Sequence, residues 1–432
     1  MIGDTATRRR RSPLVPAGAV MVLLSLVAGV INYASNLVFG RLLTPAEYGD
    51  LTALLALSVI ASVPAFAAQT RIAERLTTHR TRGDLDTAAY SIRHGAAHVG
   101  VYALLLGAAC LAASPLVEKI LSLHAIGPAI ALSPLLVVSF LTPLALGVLQ
   151  GLERLIALGL FMVAIALSRL VVGTLWVETG GGSGGAVAGQ ALGTAAALVA
   201  IALLVKPQSA SPGRGAATAG AKRKIDAPAL SATGAFIAFA LLSNLDVVLA
   251  KLALTPEGGG AYAALSTIGK IVLFLPSAVA VAMVPRAARR REEGNSASRE
   301  LRIAALVTFA ISAVAATAAF TSPGLVLSVM FGDQYDAAKG GVLPIVLAGT
   351  GLSLIYLLVV YTVAVQDRRW STLLLVGVAV QIIAILQCNS PSQVATAQAA
   401  VIWGTLLVNE VLFHPLVVAE RFAWRGRREA RR

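Results

Sequence analysis

The sequence predicts an all-α integral membrane protein with twelve transmembrane helices, and three observations support this fold class. Apolar residues make up 57% of the 432 residues, whereas charged residues make up 13%. Twelve apolar stretches divide the chain, and each is close to the roughly 20 residues needed to cross ~30 Å of hydrocarbon. Lys and Arg residues are concentrated in every second gap between these stretches, as they are in cytoplasmic loops.

The apolar stretches set the predicted helix bounds, and the basic gaps set the topology. The helices are predicted at 17–40, 47–69, 95–117, 126–149, 155–177, 185–205, 230–252, 261–284, 303–322, 341–365, 371–388 and 394–418. With the N-terminus inside, only three of the 35 basic residues fall on the outer side, namely Arg41, Lys119 and Lys339. Apart from three residues at or near membrane depth, the others are cytoplasmic, which places both termini in the cytoplasm.

The chain is predicted to form two six-helix halves, because a Pro-, Gly-, Ala-, Ser- and Lys-rich segment separates the sixth stretch from the seventh. An even number of helices in the first half gives both halves the same orientation in the membrane. Short signatures recur in both, such as Thr44-Pro45 and Thr255-Pro256 before a helix. The predicted units are a basic tail (1–16), a first bundle (17–205), a cytoplasmic linker (206–229), a second bundle (230–418) and a second basic tail (419–432).

Composition also excludes several classes of function. The net charge of +14 is explained by cytoplasmic loops facing anionic lipid, so no nucleic-acid partner is expected. The two cysteines, Cys110 and Cys388, lie within or at the edge of apolar stretches and belong to no Cys/His cluster. Because the gaps are also too short for a soluble domain, we expect no catalytic residue, no metal and no enzymatic activity.

Ionisable residues at membrane depth are the first candidates for function, because burying a charge in hydrocarbon is costly. Arg169 lies about 14 residues, or ~21 Å, into the fifth predicted helix. Lys270 and Asp246 lie at comparable depth on the eighth and seventh predicted helices. Two arrangements remain open: Asp246 pairs with Lys270 inside the second half, or Lys270 and Arg169 line a cavity and bind an anionic group. Glu410, near the inner end of the twelfth predicted helix, either carries a coupling proton or makes a polar contact within its bundle.

Polar residues near the helix ends give further candidates. Asn32 and Asn36 share one face of the first predicted helix, where they either bind sugar hydroxyls or contact another helix. Arg71 and Arg75 share a face at the inner end of the second, where they either recruit phosphate from the inner leaflet or only reflect the excess of cytoplasmic positive charge. Tyr262 lies near a predicted membrane interface and is interpreted as an aromatic anchor.

The segment from Asn32 to Gly49 resembles a motif of polysaccharide and oligosaccharide flippases. Asn32 is followed by Arg41-Leu42-Leu43, then by Pro45 and by Tyr48-Gly49, as in the turn between the first two helices of that family. Further similarities are Leu245-Asp246-Val247-Val248-Leu249-Ala250-Lys251, Ala261-Tyr262-Ala263-Ala264-Leu265-Ser266 and Phe331-Gly332-Asp333-Gln334-Tyr335. These flippases belong to the multidrug/oligosaccharidyl-lipid/polysaccharide exporter superfamily.

The resemblance implies two bundles that form a V around a central cavity, which opens alternately to each side of the membrane. It also implies a cargo of sugar linked to polyprenyl pyrophosphate, and a location in a bacterial cytoplasmic membrane. The first helix has no acidic residue of the kind that many multidrug relatives use. The implied partners are membrane lipids, the lipid-linked glycan and enzymes of polysaccharide biosynthesis, with coupling to a proton or sodium gradient and no cofactor.

The leading hypothesis is therefore a lipid-linked oligosaccharide flippase that works by alternating access. A membrane-embedded polysaccharide polymerase or glycosyltransferase is the first alternative, although the outer gaps are short and carry only scattered acids. A drug or ion antiporter of the same superfamily is the second.

Overall fold

The computed structural model describes residues 14–81, 85–204, 227–292, 298–365 and 369–413, and these ranges are almost entirely helical. The helices are α1 (Leu14–Leu42), α2 (Pro45–Thr81), α3 (Leu85–Ala112), α4 (Ser114–Leu121), α5 (Ile126–Gly151), α6 (Leu155–Trp176), α7 (Gly182–Leu204), α8 (Ala227–Ala253), α9 (Pro256–Glu292), α10 (Ser298–Thr321), α11 (Pro323–Phe331), α12 (Val342–Val365), α13 (Arg369–Ile385) and α14 (Pro391–Phe413). A π-helical turn (Val177–Gly181) joins α6 to α7, and a 3₁₀ segment (Asp333–Gly341) precedes α12.

Each predicted stretch coincides with a helix, and the third is the one that is broken. Where a single helix is predicted at 95–117, the structure has α3 and α4 at an angle of 62°. The break falls at Ala113, because Pro115 in the first turn of α4 has no N–H to donate to the last turn of α3.

Length and composition allow eight described segments to cross a membrane, or nine if the bent pair counts as one span. One of the eight, Leu155–Leu204, comprises both α6 and α7. The helix Trp370–Ile385 is apolar but shorter. The predicted all-α membrane class is therefore confirmed.

The helices pack as two bundles, α1–α7 and α8–α14. In the first bundle α2 packs on α5, α1 on α6, and α7 on both α5 and α6. In the second bundle α12 packs on α9, α10 and α14, while α8 packs on α13. The domain limits remain predictions, because most of the linker (206–229), most of the first tail (1–16) and all of the second tail (419–432) lie outside the described residues.

The bundles meet through α2, which packs on α8 and α9. We call the ends of the helices near the α1–α2 and α8–α9 turns the outer ends, following the predicted topology. Both turns are capped by threonine: the Thr44 hydroxyl accepts from the Glu47 N–H at 3.3 Å, and the Thr255 hydroxyl accepts from the Gly258 N–H at 3.2 Å. Glu47 in turn accepts from the Thr44 N–H at 3.1 Å, which completes a capping box.

Glycine lets the outer ends approach backbone to backbone. A Cβ on Gly260 would lie 1.6 Å from the carbonyl oxygen of Pro45, and one on Gly49 would lie 2.9 Å from the Gly260 nitrogen. Neither neighbour is a side chain that could turn away. The α2–α9 contact is therefore possible only without a side chain at position 260.

We expect Gly260→Ala to lower the stability of the closed outer end by about 1–3 kcal/mol, the typical cost of overpacking. Thermal unfolding of the detergent-solubilised protein measures this as a lower Tm. Gly234→Ala is the matched control, because a Cβ there meets nothing within 4 Å. Equal melting of the two variants would contradict the assignment of Gly260 as an obligatory contact.

Candidate functional site

The Arg169 side chain is buried between α6 and α1. Its Nη1 donates to the Oδ1 of Asn32, and its Nη2 donates to the Oδ1 of Asn36 at 2.7 Å. The Cζ atom lies 5.9 Å from the centre of the Phe39 ring, within cation–π range. Only 7% of Arg169 is exposed, so two amide oxygens and an aromatic ring fix a cation at membrane depth.

The charge of Arg169 has no carboxylate beside it among the residues that the structure describes. Its Nε atom is buried and has no hydrogen-bond partner. Amide oxygens satisfy the two Nη groups but leave the positive charge uncompensated, and a buried unpaired charge is costly. The site can therefore gain free energy by binding an anion.

The two asparagines lie on one face of α1, as predicted, and both bind the same guanidinium. Asn36 also donates from Nδ2 to the main-chain oxygen of Asn32 at 3.3 Å. Sequence spacing brings the two amides together. Arg169 lies 133 residues after Asn36, so the contact of both amides with Arg169 follows from the packing of α1 on α6.

Lys270, from the second bundle, lies beside the same turn of α1. Its main-chain oxygen accepts from the Tyr33 hydroxyl at 2.8 Å, and Tyr33 follows Asn32 directly. The Tyr33 ring also packs edge-on against Phe274, with 5.3 Å between centroids. The side chain of Lys270 is half-buried. One turn of α1 thus contacts a cation-bearing residue from each bundle.

Asp246 does not form an ion pair with Lys270 within 4 Å in the described part of the chain. Its Oδ2 instead accepts from the Tyr262 hydroxyl at 2.7 Å and from the Ser266 hydroxyl at 3.1 Å. Its Oδ1 is buried and has no hydrogen-bond partner. Tyr262 is fully buried, so its interpretation as an interfacial anchor is wrong, because it packs inward to satisfy a carboxylate.

The other predicted residues lie elsewhere in the fold. Glu410 and Asn409 line an open, mostly apolar pocket of about 390 Å³ between α10, α12 and α14 of the second bundle. Arg71 and Arg75 are exposed, one turn apart towards the inner end of α2. The roles predicted for these residues stay predictions, and no group of His, Cys, Asp and Glu in the described ranges could hold a metal ion.

Sequence reasoning missed a buried ion pair between the bundles. Asp50 Oδ1 lies 2.6 Å from Lys251 Nζ, and the two side chains are 0% and 1% exposed. His124 approaches the other carboxylate oxygen of Asp50 with its backbone N–H at 3.2 Å and its Nδ1 at 3.1 Å. Asp50 falls within the second predicted helix, so the rule that selected Arg169 and Lys270 would also have selected it.

Comparison with known proteins identifies the fold. No protein-family model matches the sequence, and no curated protein matches it. An inward-facing structure of a multidrug resistance MATE family transporter of the MOP superfamily is similar, with a TM-score of 0.68 at 15% identity over 92% of this chain and 98% of that chain. An outward-facing structure of such a transporter gives a TM-score of 0.56 at 17% identity over 97% of this chain and 98% of that chain.

A third similar structure is a MOP superfamily transporter from Pyrococcus furiosus, described as having a binding pocket of reversed polarity that suggests a different function. It has a TM-score of 0.57 at 16% identity and covers 94% of this chain and 95% of that chain. This chain therefore has the fold of these transporters, in which the helices form two bundles around a central cavity. The TM-score is higher for the inward-facing structure than for the outward-facing one.

We expect Asn36→Ala to destabilise the first bundle, because the Arg169 Nη2 then loses its acceptor inside the membrane. The expected loss is about 1–3 kcal/mol, the cost of leaving a buried polar group unsatisfied. Thermal unfolding in detergent measures it, with the exposed Asn389→Ala as the control. A melting temperature equal to that of the wild type would show that Arg169 does not need Asn36.

Proposed function

We propose that this protein is a transporter that moves a sugar linked to polyprenyl pyrophosphate across a bacterial cytoplasmic membrane by alternating access. The observation that carries the proposal is the buried guanidinium of Arg169, which two asparagines hold. No carboxylate among the residues that the structure describes lies beside it. Lys270 of the second bundle lies beside the same turn of α1. Two cations at membrane depth, one from each bundle, suit an anionic cargo that passes between the bundles.

Pyrophosphate needs such cations, because its charges cannot enter hydrocarbon without replacement of their hydration. Arginine presents its donors in a planar fork that matches phosphate oxygens, whereas lysine acts as a point charge. The Oδ1 atoms of Asn32 and Asn36 occupy Nη donors that phosphate oxygens would take over. The displaced amides can then donate to sugar hydroxyls, and the prenyl chain can remain in lipid throughout.

A drug or ion antiporter is the second candidate, because the similar solved structures include multidrug resistance transporters. The polarity of the site argues against a cationic drug, since Arg169 would repel it inside a low-dielectric bundle. Efflux of a cationic dye from cells that express the protein separates the two candidates. A polymerase, the remaining alternative, would lengthen glycans in vesicles, whereas a flippase changes only the leaflet in which they lie.

We expect Arg169→Ala and Lys270→Ala each to reduce translocation of a polyprenyl-pyrophosphate-linked sugar at least about tenfold, because each removes a charge-assisted contact to phosphate. Transfer of the labelled lipid between leaflets of proteoliposomes is the measurement. The conservative Arg169→Lys keeps the charge but loses the fork, so intermediate activity is expected.

The exposed Lys119→Ala is the control for the removal of a positive charge and should translocate at the wild-type rate. Size-exclusion profiles establish that the variants remain folded. Wild-type translocation by both Ala variants would exclude these cations as cargo ligands.

Asp246 is the residue that we propose couples transport to a proton or sodium gradient, because its buried Oδ1 has no hydrogen-bond partner. An imposed ion gradient should no longer stimulate translocation by the Asp246→Asn variant. Translocation of the cargo down its own concentration gradient should continue. Proteoliposomes with and without a proton or sodium gradient provide the test. Glu410→Gln, at the other candidate, should keep its gradient dependence; the reverse result would transfer the coupling role to Glu410.

A further inference from the structure

The outer ends of the two bundles are joined by several contacts beyond the glycine packing. The Tyr335 hydroxyl donates to the main-chain oxygen of Gly40 at 2.9 Å, and Gln334 donates to the same oxygen at 2.8 Å. The hydroxyls of Tyr48 and Thr267 are 2.9 Å apart, and Arg41 donates to the main-chain oxygen of Val329. These contacts make a seal between the outer ends of α1 and α2 and those of α9, α11 and the 3₁₀ segment.

Within this seal, the Asp50–Lys251 ion pair links the two bundles. Asp50 is on α2 and Lys251 is on α8, and both side chains are excluded from solvent. The Lys251 Nζ and Asp50 Oδ1 atoms are 2.6 Å apart, so the two charges are in direct contact. His124, just before α5, holds the second oxygen of Asp50 with its backbone and its ring.

We infer that Asp50 and Lys251 form a charge latch, which holds the outer end closed and separates in each transport cycle. The seal must part for the central cavity to open outwards, and these two residues lie on opposite sides of it. In the closed state each charge neutralises the other in a dry environment. In an outward-open state water would hydrate both, so the latch can separate without leaving a bare charge.

Because the Asp50–Lys251 pair is buried, single and double substitutions should shift the equilibrium between the closed and open states differently. Removing one partner leaves an uncompensated charge in the closed state, whereas replacing both with apolar or neutral groups removes the charge altogether. In the open state the remaining charge is hydrated in either case. Single substitutions therefore favour the open state, and the double substitution should return the equilibrium towards closed.

His124 makes the two single substitutions unequal. After Lys251→Met, Asp50 keeps His124 as a partner, because the backbone N–H and the ring Nδ1 of His124 contact its second carboxylate oxygen. After Asp50→Asn, Lys251 has no carboxylate in reach among the described residues. Asp50→Asn should therefore open the outer end more than Lys251→Met does.

A single cysteine on the outer half of α9 can report the opening. Ala264 is fully buried and shares a helix face with Gly260 and Thr267, which contact α2. It lies about 12 Å below the start of α9, deeper than Asp50 below the start of α2. In a background with Cys110→Ala and Cys388→Ala, Ala264→Cys is the only thiol of the chain.

The experiment is the labelling rate of that thiol by a membrane-impermeant maleimide, applied to the outer face of sealed vesicles. We expect Asp50→Asn to raise the rate about tenfold or more, and the double variant Asp50→Asn/Lys251→Met to stay within about threefold of the background. The control is Lys339→Met, which breaks the exposed outer pair with Asp336 and should leave the rate unchanged.

Two results would overturn the latch. If a folded Asp50→Asn variant labels at the background rate, the ion pair does not hold the seal. If the double variant labels as fast as Asp50→Asn, packing and not charge is responsible. The inference rests on the alternating access proposed above but not on the cargo: labelling uses no substrate, so a wrong cargo would leave these outcomes unchanged.

Discussion

The cost of placing charge in a low-dielectric bundle governs this structure. The chain keeps almost all its basic residues out of the apolar stretches, and those it buries are held by specific partners. Arg169 has amide oxygens and an aromatic ring, Lys251 has Asp50, and the buried Asp246 has the hydroxyls of Tyr262 and Ser266. These partners come from distant parts of the chain, so each buried charge also fixes how helices are packed.

The three arrangements differ in what they leave unsatisfied, and this difference separates their roles. The Asp50–Lys251 pair is neutral as a unit, so it suits a contact that closes and opens. Arg169 retains its full positive charge in the first bundle, so it suits an anionic ligand. Asp246 retains one free oxygen in the second bundle, so it suits a small cation or a proton. In the proposed transport cycle these three arrangements would serve as the gate, the cargo site and the site for the coupling ion.

The backbone contact between α2 and α9 connects the proposed gate and the proposed cargo site mechanically. Gly49 and Gly260 let the two helices touch at their outer ends, where Thr44 and Thr255 cap them. Further along α9, Thr267 contacts Tyr48 of α2, and Lys270 follows Thr267 by one turn. Separation of the outer ends would therefore also move Lys270 relative to α1 and to Arg169.

The sequence by itself determined the class, the positions of the apolar helices and the candidates at membrane depth. Burying polar backbone or charge in hydrocarbon is costly. The length of an apolar stretch therefore indicates a membrane span, and the distribution of Lys and Arg indicates the orientation of the chain. The α3–α4 break was open to prediction from Ser114-Pro115, whereas the apolar run alone suggested one helix. Asn32 and Asn36 were correctly placed on one face because helical spacing is local.

Only the tertiary structure decided which charges meet. Asp246 pairs with hydroxyls and not with Lys270, and Asp50 meets Lys251 across 201 positions of sequence. Depth along a helix can be counted from the sequence, but the direction in which a side chain points depends on the neighbouring helix. These helices are apolar on every side, so the sequence carries little periodic signal for the direction in which a side chain points. Packing of small residues such as Gly260 sets it, and packing is a property of the assembled bundles.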